Sequence, residues 1–95
     1  MIIRWTDVSK KNLYEIRRYI ARSHPATAKK FVKRLKDDVS IQLRDFPLSG
    51  RIIPEIEDPL YREIIFGNYR IMYKAEESLN TILAVRNSNQ LFRPL

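Results

Sequence analysis

Five arginines fall in the second half of the chain: Arg51, Arg62, Arg70, Arg86 and Arg93. Their chemistry is anion binding, because a guanidinium presents a planar fork of donors that grips phosphate or carboxylate oxygens in pairs. If their segments are strands, alternation sets Arg62 with Ile64 and Phe66 on one face. It sets Arg70 with Met72 and Lys74, and Arg86 with Ile82 and Ala84, in the same way. The opposite faces, Ile71 with Tyr73 and Leu83 with Val85, read as core. Arg62, Arg70 and Arg86 are therefore expected to point away from the core and converge on one sheet face. The competing arrangement pairs each arginine with a neighbouring carboxylate, Glu63, Glu55 or Glu57, and leaves no site.

Other chemistries have less material. His24 is the sole histidine and precedes Pro25, which suits a solvated turn residue better than a general base. Tyr61, Tyr69 and Tyr73 have the strand spacing for base stacking, but the same spacing serves sheet packing. Glu55, Glu57 and Asp58 make an acidic loop with nothing to complete a metal's coordination sphere. The absence of cysteine excludes disulfides, thiolate metal sites and cysteine nucleophiles. No glycine-rich phosphate loop or serine elbow is present. Neither metal nor cofactor is expected.

These side chains must be carried by one domain, residues 1–95, with 44% hydrophobic residues for its core. No apolar run is long enough to span a bilayer, and the first residues lack a signal-peptide layout, so a cytoplasmic protein is expected. The net charge of +7 is unevenly placed. Residues 1–47 hold 12 basic and 5 acidic side chains, and residues 48–95 hold 6 of each. The whole excess therefore lies in the first half, a field that favours polyanionic partners.

The pattern changes along the chain. Ile2–Trp5 is a short β-rich run, and Thr6 or Asp7 can cap a following helix. Val8, Leu13, Ile16, Tyr19 and Ile20 then recur at helical steps, up to a break at Ser23-His24-Pro25. Pro25 suits the first turn of a second helix, along which Ala28, Phe31, Val32, Leu35, Val39, Leu43 and Phe46 form the strongest apolar stripe. Pro47 ends it, and a loop runs from Leu48 to Pro59. Beyond residue 60 the period is two, with strands at 61–66, 69–74 and 81–87 and a tight turn at Gly67-Asn68. The order β-α-α-β-β-β predicts an α+β domain: a helical hairpin packed on a small, mainly antiparallel sheet.

The ordered set Trp5, Leu13-Tyr14-Glu15-Ile16, Pro25-Ala26-Thr27-Ala28, Phe46-Pro47-Leu48-Ser49-Gly50-Arg51, Tyr61-Arg62-Glu63-Ile64, Tyr69-Arg70-Ile71-Met72-Tyr73 and Val85-Arg86 resembles the ParE/RelE superfamily of toxins from type II toxin–antitoxin modules. The resemblance covers nearly the whole chain. It implies one of two activities: ParE-like poisoning of DNA gyrase, or RelE-like cleavage of messenger RNA on the ribosome. It also implies a cognate antitoxin with an acidic or amphipathic segment for the basic hairpin; Arg51, Arg62, Ile64, Phe66, Arg70, Met72, Arg86 and Phe92 are the residues expected to bind the target or that antitoxin.

The nuclease pattern carries over only in part. Arg62 falls at the family's first basic strand position, Arg70 matches its transition-state arginine, and Arg86 lies near the later basic position. These three are the catalytic candidates if the chain cuts RNA. Ile64 stands where those toxins have a proton-accepting lysine, and Asn87 and Phe92 stand near their terminal tyrosine or His-Tyr pair. Cleavage needs a base for the 2′-hydroxyl and an acid for the leaving 5′-oxygen, and neither Ile64 nor Phe92 can be one. Glu63 and Tyr61 are the remaining candidates for a base. The resemblance therefore leans to the ParE side.

Overall fold

The computed structural model describes residues 1–88. Strand β1 (Ile2–Trp5) leads into helix α1 (Asp7–Ala21), and helix α2 (Pro25–Asp45) returns antiparallel to it. Strands β2 (Arg51–Ile52), β3 (Tyr61–Phe66), β4 (Tyr69–Ala75) and β5 (Leu79–Asn87) follow. The sheet order is β1-β5-β4-β3-β2, with β1 parallel to β5 and every other pair antiparallel. This is the predicted α+β architecture, with the two-residue β2 added inside the expected loop.

Local chemistry sets the boundaries. Thr6 caps α1: its hydroxyl accepts from the Ser9 N–H at 3.1 Å and donates to the Ile82 carbonyl at 2.8 Å. One side chain thus starts the helix and ties it to β5. Asn12, nearly two turns later, accepts the Val85 N–H at 3.0 Å. Pro25 occupies the first turn of α2, where a missing N–H costs nothing. Gly67 takes φ +57° in the β3–β4 turn, a backbone region open to glycine.

The hairpin packs on one sheet face. Leu13, Leu35, Val39 and Leu43 from the helices meet Ile64, Tyr69, Ile71, Tyr73, Ile82 and Val85 from the sheet, and Ile16 and Phe31 pack against this cluster. Phe31 makes an edge contact with Phe66, centroids 5.8 Å apart. Val8, Tyr19 and Phe46, all on the predicted stripes, are instead exposed. On β5 a bulge opposite Met72/Tyr73 shifts the alternation, so Ile82 and Val85 both reach the core and Leu83 is only half-buried.

A second set of buried residues lies outside that cluster. Glu63, Met72 and Ala84 are register partners across β3, β4 and β5, which puts them on the opposite, back face. Ile53, two residues beyond the Arg51–Glu63 pairing, is fully buried with them. The loop after β2 folds over this face, with Glu55 reaching Arg70. Both faces of the sheet are therefore covered, one by helices and one by a loop.

Leu35 has no solvent exposure, whereas Phe46 is 67% exposed at the end of the same helix. Leu35→Ala should cost about 2–5 kcal/mol in urea denaturation, and Phe46→Ala less than about 0.5 kcal/mol. Similar losses for the two would mean that the buried face of α2 is assigned wrongly.

Candidate functional site

The predicted cluster of three arginines forms only in part: Arg70 and Arg86 are cross-strand partners on the back face, and Arg62 is not with them. Arg62 lies on the helix-facing side of β3, in register with Ile52 and Tyr73. Its Nε donates to the Pro59 carbonyl at 3.0 Å, and its Nη1 donates to the Gly50 carbonyl at 3.1 Å and the Leu48 carbonyl at 3.4 Å. Main-chain acceptors at the sheet margin satisfy this cation, so it clamps the loop after α2. Tyr73 completes the clamp from the next strand. Its hydroxyl accepts from the Gly50 N–H and donates to the Pro47 carbonyl, both at 3.0 Å. A Cβ at Gly50 would stand 2.6 Å from the Tyr73 ring and 2.7 Å from the Glu63 carbonyl oxygen, so only glycine fits this approach.

Arg51 and Arg70 are on the back face, where they enclose Glu63. The Glu63 carboxylate has no solvent exposure. Its Oε2 accepts from Arg51 Nε and Nη2 at 2.6 Å, and its Oε1 accepts from Arg70 Nε at 2.7 Å. The outer edge of Arg70 then grips Glu55 in a bidentate pair, at 2.8 and 2.7 Å. The four side chains form the series Arg51–Glu63–Arg70–Glu55 with no net charge. A buried carboxylate is tolerated only when paired and hydrogen-bonded, and these arginines provide that. Pairing with Glu63 and Glu55, the competing arrangement, is what holds Arg70 and Arg51.

The electrostatics follow. Hydrogen bonds from Arg70 hold the Glu55 carboxyl at about 2, against a usual 4.5. The same contact, together with Glu63, raises Arg70 further above arginine's already high value. Burial pushes the Tyr73 phenol up, with the Gly50 hydrogen bond opposing. The Glu55–Arg70 pair is thus held in its charged form at neutral pH.

The other predicted contacts are corrected in the same way. Ile64 and Met72 were expected to face outward, yet Ile64 is in the hairpin core and Met72 is buried under the back-face loop. Phe66 turns toward Phe31. Arg86 alone among the three converging candidates lines a concavity, and its Nε is buried without a hydrogen-bond partner among the described residues. Phe92 and Arg93 lie outside the described residues. The described residues contain no group of three or more side chains able to hold a metal, and no helix long and apolar enough to cross a membrane.

That concavity is an open groove of about 520 Å³ between α1 and the ends of β4 and β5. Asn12, Glu15, Ile16 and Tyr19 form one wall, and Tyr69, Val85, Arg86 and Asn87 the other. Sequence reasoning missed it. The one available signal was Asn12, a poor helix former on the flank of an amphipathic helix.

A helical hairpin on one face of a five-stranded mixed sheet is a RelE/ParE-like fold. Residues 3–92 match the family model for the ParE toxin of the type II toxin–antitoxin system parDE, and the chain belongs to that family. A search of curated proteins finds no match. Among solved structures, the chain is similar to one from the chromosomal ParDE system of P. aeruginosa. The TM-score is 0.76 and the identity 20%, over 92% of this chain and 95% of that one. It is also similar to a chain of the toxin–antitoxin complex RelBE2 from Mycobacterium tuberculosis, with TM-score 0.57 and 17% identity over 90% and 95%. At such identities these two likenesses speak for the fold alone.

Because its folded-state value lies below the unfolded one, Glu55 stabilises the protein fully above about pH 4.5, and that contribution is lost as pH falls toward 2. The Glu55→Gln variant should have a lower urea midpoint than the parent at neutral pH and a matching one near pH 2. A gap that persists at low pH would show that the Glu55–Arg70 ion pair is not its source.

Proposed function

We propose that this chain arrests growth by poisoning DNA gyrase, and that a cognate antitoxin neutralises it. The observation that carries this reading is the commitment of Arg70 to Glu63 and Glu55. Cleavage of RNA needs a cation free to meet the charge developing on phosphate, beside a base and an acid. Arg70 is only 11% exposed and already saturated by carboxylates. Arg62 is spent on carbonyls, and Ile64, at the position of a proton-accepting lysine, is core. Of the alternative bases, Glu63 is sealed between two guanidiniums. Arg70, Arg62, Ile64 and Glu63 therefore have structural duties that compete with ribosome-dependent cleavage. Membership in the ParE family favours the same target.

The groove beside α1 is the surface best suited to the antitoxin. It joins apolar material from Ile16, Tyr19 and Val85 to the polar ends of Asn12 and Arg86, which matches an amphipathic segment bearing a carboxylate. Tyr19 is 65% exposed there and offers a ring for such a segment to cover. Of the binding residues read from the sequence, Arg86 lies in this groove and Arg51 keeps a largely exposed side chain at the sheet edge. The antitoxin partner is supported by the ParDE and RelBE2 neighbours, both solved from toxin–antitoxin systems.

The target is tested by two assays on one preparation of purified toxin. Incubation with gyrase, plasmid and ATP should accumulate cleaved DNA–gyrase complexes, while primer extension on ribosome-bound message should read through without toxin-dependent stops. Codon-phased cuts in the message with normal supercoiling would overturn the gyrase reading and establish the RelE-like alternative.

A further inference from the structure

Between Glu15 and Asp37 lie 21 residues without a single acidic side chain, and eight of them are cations. The fold gathers this stretch at one end of the molecule, because α1 ends at Ala21 and α2 begins at Pro25. The cations are not equivalent. Lys33 and Arg34 pair forward with Asp37 and Asp38, Arg18 lies over the Tyr14 ring and Lys36 over the Trp5 ring. Arg17, Arg22, Lys29 and Lys30 have no ion-pair or ring partner among the described residues. Arg17 sits just before the last turn of α1, Arg22 at its cap, and Lys29 and Lys30 in the second turn of α2, all within a few helical rises of the connecting turn.

Two further observations sharpen the character of this tip. Helix α2 starts without a side-chain cap and without an acidic residue in its first turn, so its positive dipole end adds to the field rather than being neutralised. From Arg17 through Asp38 one large apolar side chain is exposed, Tyr19, and it lines the groove beside α1; the exposed ones on α2 and its end, Ile41, Phe46 and Leu48, are at the far end of the hairpin. A protein partner would need apolar or aromatic anchors to hold at such a surface, and a membrane would need a residue to insert. A phosphate backbone needs neither. It is met by unpaired Lys and Arg, hydroxyls and helix N-termini, and the tip also carries Ser23 and Thr27.

We propose that the tip of the helical hairpin binds the phosphate backbone of duplex DNA without reading its bases, through Arg17, Arg22, Lys29 and Lys30. The surface is separate from the groove beside α1 and its assignment does not depend on which enzyme the toxin attacks. In a cell it would hold the toxin on DNA, and so near any target that works there.

The test is fluorescence anisotropy of a short labelled duplex titrated with purified toxin across a salt series. Four phosphate contacts predict a slope of log K against log salt of about −4, or about a 10²-fold loss between about 50 and 200 mM. The triple variant Arg22→Gln/Lys29→Gln/Lys30→Gln changes only exposed side chains and should reduce the slope to about −1. Arg44→Gln removes a charge from the opposite end of α2 and should leave the slope in place. Equal losses in the triple variant and Arg44→Gln, scaled by charge removed, would overturn the assignment in favour of net charge. An undetectable affinity at low salt would overturn it outright. Tighter binding of poly-glutamate than of the duplex would overturn it in favour of an acidic protein segment. Because gyrase is absent from the assay, failure here leaves the gyrase experiment to stand or fall on its own result.

Discussion

Glu63 places a carboxylate with no solvent exposure on the back of a small sheet, and that face is organised around this single charge. An isolated buried carboxylate would cost far more than a small domain can supply. It is retained because two guanidiniums reach it from two neighbouring strands, Arg51 on β2 and Arg70 on β4. Arg70 then needs a second anion for its outer edge, and Glu55 supplies it from the loop that closes the face. Strand β2, though only two residues long, is thus fixed by a charge as well as by its ladder. The result resembles a structural keystone more than a reactive centre.

The other face is closed by a different device. Pro47 and Gly50, just past α2, are held by the Tyr73 hydroxyl, and the Leu48 and Gly50 carbonyls are held by Arg62. Asn80 adds a hydrogen bond to the Pro47 carbonyl at 3.2 Å. With both faces sealed, the surfaces that no packing has claimed are the groove between α1 and β5 and the basic tip of the hairpin, the two places proposed above for recognition. The conversion of arginines from ligand binders to struts and the placement of exposed charge on helices are two sides of one arrangement.

The helical half was legible in the sequence, apart from the stripe residues Val8, Tyr19 and Phe46 that stay exposed, because its main signals have one meaning. Pro25 fits only a first turn, and the Ala28–Leu43 stripe has one buried side. The sheet was legible in order and in the face taken by β4, but not in the face taken by β3. Tyr61 to Phe66 carries bulky residues at nearly every position, so its alternation admits both parities, and Arg62 read as the outward marker. In the fold Arg62 sits on the helix side, where carbonyls at the margin satisfy it, and Glu63 takes the buried back-face position. No single-chain pattern signals that a glutamate will be buried, since the burial depends on arginines 12 residues before it and 7 after it. The bulge in β5 was hidden for a similar reason: it inserts one residue without a glycine or proline to mark it.

The central claim is that Arg70 is a structural cation and not a reactive one. The most direct measurement replaces the buried charges together, Glu63→Leu with Arg70→Met, because apolar substitutes of similar volume commonly preserve stability where single removals do not. The growth arrest caused by this double variant is then compared with that of the parent at equal levels of folded, soluble toxin. Arrest of equal strength is the result predicted here. A folded double variant that no longer arrests growth would contradict it, and would return Arg70 to the role of a working residue.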